Sequence, residues 1–172
     1  IVAVGRLARQ KGFDTLLDAF ARLPDRNVRL IIFGEGSLRA ELLAQANALG
    51  VAERVDLPGY ASDALAQIGA ADCFVLSSRF EGSPNALVEA LSTGTPVVST
   101  RCPYGPQEIL AEGRVAPLVN VDDPAALAQA ISLELALPRD LNRQRRIDAA
   151  ARFVSARAVK TYLTALLGSP AP

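Results

Sequence analysis

The chain has 172 residues, half of them hydrophobic, with 18 basic residues balanced by 18 acidic ones and no histidine. That length suits one domain able to bury roughly 70% of the surface its unfolded form exposes, so no disulfide or metal staple is required. A formal net charge of zero without blocks of like charge argues against nucleic acid as a partner, and no apolar run approaches the ~20 residues that cross a bilayer.

The chain opens directly on a strand pattern, "IVAVG", and contains no methionine, which points to a piece of a longer polypeptide. Five more β-branched runs follow: "VRLIIFG", "RVDLPG", "CFVLSS", "TPVVST" and "RVAPLV". Between them, amphipathic patterns predict helices at 12–22, 37–49, 62–70, 84–93, 106–112 and 124–136. This βαβα alternation predicts a doubly wound α/β fold, a Rossmann-like parallel sheet of six strands with helices on both faces. Local signals mark the boundaries: Ser62 or Asp63 caps the third helix, Gly50 closes the second, and Ser83 caps a helix with Pro84 at its first position. Asp122-Asp123-Pro124 opens another helix. Residues 138–172 are predicted to form a strand-free helical extension of the same single domain, with Ser155 expected to cap a final helix. Cys73 and Cys102 lack metal-ligand spacing, and with no histidine to complete a zinc set they read as free thiols in a reducing compartment.

In an open parallel sheet the ligand crevice lies beyond the carboxyl ends of the strands, so the residues after each run carry the chemistry. After the first strand come Gly5, Arg6 and Lys11; after the second, Gly34 and Gly36; after the third, "LPGY"; after the fourth, "SSRFEGSPN". Glycine, serine or proline just ahead of a helix leaves backbone N–H groups at a positive helix end, an arrangement that holds phosphates, and Arg6 and Lys11 add cationic donors. The alternative for either cation is a solvated surface charge. "GEGSLR" is not a dinucleotide fingerprint, because Arg39 stands where the third glycine belongs and the loop follows the second strand. Its glycine pair suits a tight turn as well as a phosphate-facing loop.

Glu81 and Glu89 are more specific. Glu89 lies among Leu87, Val88, Ala90 and Leu91, where a core residue is expected, and an unpaired carboxylate buried there would cost several kcal/mol, so it is predicted to have partners. A carboxylate near the helix start can accept two hydrogen bonds from the adjacent hydroxyls of a ribose, with Glu81 nearer the far end of a bound nucleotide-sugar. Otherwise Glu89 pairs with a core arginine or reaches the surface, and Glu81 is a loop charge.

With seven residues between them, Glu81 and Glu89 resemble the E-x7-E motif of the retaining glycosyltransferases of family 4, which have the GT-B fold. "VGRLARQKGFDTLLDAF" resembles that family's G-R-L-x-x-x-K-G element, "LIIFGEGSLRAEL" its G-x-G segment and "LPGY" its base-binding turn; "EALSTGTPVVST" and "FVSARAVKTYL" are similar to later segments. The family pattern is departed from at Ser83-Pro84-Asn85, where many relatives have an apolar residue, and at Arg101, where a subgroup has aspartate. The resemblance implies the C-terminal, donor-binding half of such an enzyme, with the N-terminal acceptor domain absent and the isolated chain inactive. It implies that Arg6, Lys11 and Glu81 are catalytic, the cations on the donor diphosphate and Glu81 on the transferred sugar. It implies that Glu89 holds the ribose, that Gly82, Ser83, Pro84, Asn85 and Ala86 cradle sugar and phosphate, that Leu57 to Tyr60 meet the base, and that Gly5, Gly34 and Gly36 shape the donor site. The donor would be a nucleotide-sugar, UDP-sugars favoured, and the acceptor a glycan or lipid-linked glycan of a cell-surface polysaccharide. No cofactor or metal is expected, and the setting is cytoplasmic, with the inner membrane face reached through the absent domain. The rival readings are an NAD(P)-binding oxidoreductase domain, a GT-B nucleotide-sugar epimerase and a non-catalytic binding module.

Overall fold

The computed structural model describes residues 1–153. Each of the apolar runs forms a strand: β1 (Val2–Val4), β2 (Leu30–Phe33), β3 (Val55–Gly59), β4 (Phe74–Leu76), β5 (Val97–Thr100) and β6 (Leu118–Val119). They make one 6-stranded sheet in the order β3-β2-β1-β4-β5-β6, and every neighbouring pair is parallel. The order reverses direction between β1 and β4, which opens a gap at their carboxyl ends.

The helices are α1 (Phe13–Ala21), α2 (Arg39–Ala48), α3 (Ala64–Ala70), α4 (Asn85–Thr93), α5 (Pro106–Ile109), α6 (Pro124–Ala136) and α7 (Arg143–Ala151). Strand side chains alternate between two cores, as a two-residue period demands. Ala3, Cys73, Val75 and Val98 face one core, with Leu16, Leu17 and Phe20 of α1 and Leu127 and Ile131 of α6. Val2, Phe74, Leu76 and Val97 face the other, with Ile68 of α3, Leu87 and Leu91 of α4 and Ala149 and Ala150 of α7. In α1 the buried Phe13, Leu16, Leu17 and Phe20 recur at helical spacing, which is why that segment folds as an amphipathic helix.

The carboxylates of Asp63 and Asp123 accept from the backbone N–H of Ala66 and Ala126, and Pro124 takes the first helical position of α6, as expected. Ser83 and Pro84 are shifted from their expected places. Pro84 is itself the residue flanking the start of α4, while the Ser83 hydroxyl donates to Asn85 Oδ1 at 3.1 Å instead of capping the backbone. Helix α7 packs on the carboxyl end of α4, where Arg146 Nε donates to the Gly94 carbonyl at 2.9 Å and Arg143 Nη2 to that of Thr93 at 3.3 Å. Cationic groups at a helix carboxyl end satisfy its unpaired carbonyls and complement its dipole. The expected final helix beginning at Ser155 lies outside the described residues. No helix among the described residues is long and apolar enough to cross a membrane.

Candidate functional site

The gap between β1 and β4 is a crevice of about 420 Å³. One wall is the loop after β1, with Gly5, Arg6, Gln10 and Lys11; the other is the start of α4, with Ser83, Pro84, Asn85, Ala86 and Glu89. A second compartment of about 330 Å³ adjoins it, bounded by Phe33, Gly34, Glu35, Tyr60, Ala61 and Ala64. Val4, Gly5 and Arg6 belong to both. A depression of about 430 Å³ at the amino ends of the strands, by Ile1, Asn27 and Asp72, is remote from these groups.

Arg6 stands exposed where the compartments meet, and its guanidinium has no ion-pair or hydrogen-bond partner among the described residues. The start of α4 faces it with no side-chain cap, so the positive end of that helix dipole is open to the crevice.

Glu89 departs from the expected core position with a partner, but it does lie on the crevice beside the helix start. Its side chain is exposed on the crevice wall and has no partner among the described residues, so it is not a core carboxylate. The buried stripe of α4 is Leu87, Ala90 and Leu91. At about 100° per residue Glu89 lies roughly 200° round from Leu87, on the opposite face. Its apolar sequence neighbours belong to other faces of the helix, and burial supplies no argument for a partner.

Glu81 also differs. It lies on the loop before α4 but is 5% exposed and does not line the crevice. Lys11 Nζ donates to Glu81 Oε1 at 2.7 Å, and the Ser78 hydroxyl donates to the same oxygen. Lys11 lies across Gly5, where a side chain would come within 3.0 Å of Lys11 Cε, so the missing Cβ lets the lysine cross the loop.

Gly34 and Gly36 serve close backbone approach. A Cβ on Gly34 would meet the Gly5 carbonyl oxygen at 1.8 Å, and one on Gly36 would meet that of Leu7 at 2.3 Å. Gly34 borders the second compartment, whereas Gly36 borders neither. Arg39, at the position of the absent third glycine, donates to the Leu57 carbonyl at 2.6 Å and ties the start of α2 to β3. The Leu57 side chain is buried in the core rather than on a crevice wall, while Tyr60 is exposed on one. Gly82 is exposed, with open space around its Cα.

Sequence reasoning missed Gln10, Ser78 and Arg79. Arg79 is the most connected: its guanidinium forks onto Asp14 at 2.8 and 2.7 Å and lies 2.8 Å from Asp122. The hydrogen bond to Asp14 holds its pKa above the usual arginine range against the opposing effect of burial. Burial would raise the Asp14 carboxyl, but the Arg79 hydrogen bond and charge outweigh it and leave that carboxyl below the usual range. Asp14 and Asp122 are far from Arg79 in sequence, so no local pattern could have found the cluster.

An apolar compartment, an open cation and a helix start meet at the reversal point of a parallel sheet, which is where α/β domains of this class place their ligand sites. Residues 1–136 match the family model for glycosyl transferases group 1, and the chain belongs to that family. It is 40% identical over 131 residues to the lipopolysaccharide core biosynthesis glycosyltransferase LpsE of Rhizobium meliloti, covering 76% of this chain and 38% of that protein. It is 34% identical over 135 residues to a Campylobacter jejuni enzyme named N-acetylgalactosamine-N,N'-diacetylbacillosaminyl-diphospho-undecaprenol 4-alpha-N-acetylgalactosaminyltransferase, covering 78% of this chain and 37% of that one. Among solved structures, Anabaena Alr3699/HepE in complex with UDP superposes with a TM-score of 0.86 at 25% identity, over 98% of this chain and 48% of that one. The chain thus spans 38% and 37% of the length of these two curated relatives. Its fold is that of the C-terminal domain of GT-B glycosyltransferases.

Proposed function

We propose that the chain is the donor-binding domain of a retaining, hexosyltransferase-type enzyme that moves a sugar from a nucleotide-sugar, a UDP-sugar first, to a glycan or lipid-linked acceptor in cell-surface polysaccharide synthesis. The observation that carries this reading is Arg6, unpaired at the meeting point of two crevice compartments and opposite the uncapped start of α4. The diphosphate sits between Arg6 and that helix start, the ribose hydroxyls at Glu89, the base beside Tyr60, and the sugar toward Ser83, Asn85 and Lys11. UDP in the Anabaena relative and a diphospho-undecaprenol acceptor in the Campylobacter enzyme's name support the donor and acceptor classes.

Bond cleavage leaves negative charge on the nucleoside diphosphate. Arg6, Lys11 and the α4 dipole stabilise it, and this fixed positive field assigns no step to a divalent metal. Glu81 acts by holding Lys11. A second domain brings the acceptor, so the isolated chain binds the donor without turning it over, in the cytoplasm or at the inner membrane face.

Calorimetry with UDP, UDP-N-acetylglucosamine, GDP-mannose and NAD tests the reading. A charge-assisted hydrogen bond is worth about 1.5–3 kcal/mol, so Arg6→Ala weakens UDP binding roughly tenfold or more. Glu89→Ala weakens uridine diphosphate more than it weakens inorganic pyrophosphate. Binding of NAD with no response to any nucleoside diphosphate would overturn the assignment.

A further inference from the structure

We infer that Arg79 is a positioning residue for donor binding: from outside the crevice its guanidinium locks the loops carrying Lys11 and Glu81 into one unit. The inference rests on the donor-binding reading above.

Two loops meet behind the crevice. Ser77 Oγ donates to the Lys11 carbonyl at 2.8 Å, the Arg79 backbone N–H to the Gln10 carbonyl at 2.8 Å, and Gln10 Nε2 to the Phe80 carbonyl at 3.0 Å. These bonds are uncharged and fix the residues on either side of the Lys11–Glu81 pair, the ion pair that links the two loops directly. Arg79 adds a second charged tie, outside the crevice. Its Nη1 donates to the Arg9 carbonyl at 2.7 Å and to Asp14 Oδ1, and its Nη2 donates to Asp14 Oδ2 and, at 3.2 Å, to Thr15 Oγ1. The same Nη2 lies 2.8 Å from Asp122, which also accepts from Thr15. One guanidinium therefore spans the loop after β4, the start of α1 and the turn before α6.

Only a planar fork can meet this many acceptors at once; a lysine ammonium in the same place supplies the charge without the geometry. Arg79 does not line the crevice, so its influence on a ligand must pass through the loops it ties. A shift of about 1 Å in a site that depends on orientation can cost a hundredfold. Loss of the fork is thus expected to be felt at Lys11.

The test is UDP binding by calorimetry, with thermal unfolding alongside, for the parent chain, R79M, R79K, K11M and K11M/R79M. The expected result is that R79M binds UDP at least tenfold more weakly. R79K recovers thermal stability but not UDP affinity. Adding R79M to K11M changes the remaining affinity by less than twofold, because both act through the same ammonium. A folded R79M with the parent's affinity overturns the inference, as does R79K restoring affinity together with stability, or K11M and R79M losses that multiply independently. If R79M does not fold, D14N tests the same link: UDP binding threefold or more weaker supports it, and unchanged binding overturns it. A parent chain that binds neither UDP nor any other nucleoside diphosphate overturns the donor reading, and this inference with it; a binding parent beside an unaffected R79M overturns this inference alone.

Discussion

Lys11 and Glu81, 70 positions apart in sequence, form an ion pair at 2.7 Å in which the carboxylate side chain is only 4% exposed. The pair joins the loops after β1 and β4 behind the crevice that separates those strands. Removing one partner of a buried pair leaves the other charged and undersolvated, at a cost of about 3–5 kcal/mol. Because Lys11 keeps partial access to solvent, Lys11→Met should fall at the lower end, near 3 kcal/mol. Adding Glu81→Gln should recover part of the loss. Urea unfolding of the single and double variants checks this, and a Lys11→Met chain as stable as the parent would exclude the pair as a support.

Glycine positions in the crevice loops differ in what they tolerate. Gly34 has φ 140° and would drive a Cβ to 1.8 Å from the Gly5 carbonyl oxygen, whereas Gly82 has open space. Gly34→Ala should destabilise the chain by at least ~1–3 kcal/mol, the usual range for overpacking, and Gly82→Ala by much less. Equal melting temperatures for the two variants would contradict the close approach.

Both thiols are buried and free. Burial pushes Cys73 up to about 12, and burial likewise raises Cys102. Since the thiolate is the reactive form, an aromatic disulfide reagent at pH 8 should label neither at an appreciable rate until denaturant is added. Fast labelling of the native chain would contradict the burial.

Acid should weaken the Arg79 clasp. A carboxyl depressed in the folded state contributes stability that is complete above its unfolded pKa, about 3.9 for aspartate, and is lost as pH falls through the folded value. Asp14→Asn should therefore be less stable than the parent at pH 7, and the gap should close below about pH 4. Half-exposed Asp14 is screened by solvent, so the gap is modest. A gap independent of pH would assign the loss to packing.

The two glutamates show what could be read in advance and what could not. Their spacing and their place after the fourth strand were legible in the chain, and so was the association of Arg6 and Lys11 with a helix start. Their surroundings were not: Glu89 has apolar neighbours in sequence yet is exposed on the crevice wall, while Glu81, expected on the sugar or else as a loop charge, is buried. Helical period explains the first, because adjacent residues on a helix face different ways. The second needed Lys11 and Ser78 to arrive from two loops, and no local pattern encodes that meeting.

By itself the sequence determined the strands, the helices between them, the parallel sheet and the glycosyltransferase family, because these follow from short-range apolar periodicity, turn residues and motif order. Tertiary structure alone decided which charges are spent on the fold and which stay free for a ligand. Glu81, Arg79, Asp14 and Asp122 are spent on pairs across long sequence separations, Lys11 pairs with Glu81 while still lining the crevice, and Arg6 and Glu89 stay unpaired there among the described residues. Pairing between distant charges depends on distances of a few ångströms, which exist only once the sheet has brought the strand ends together.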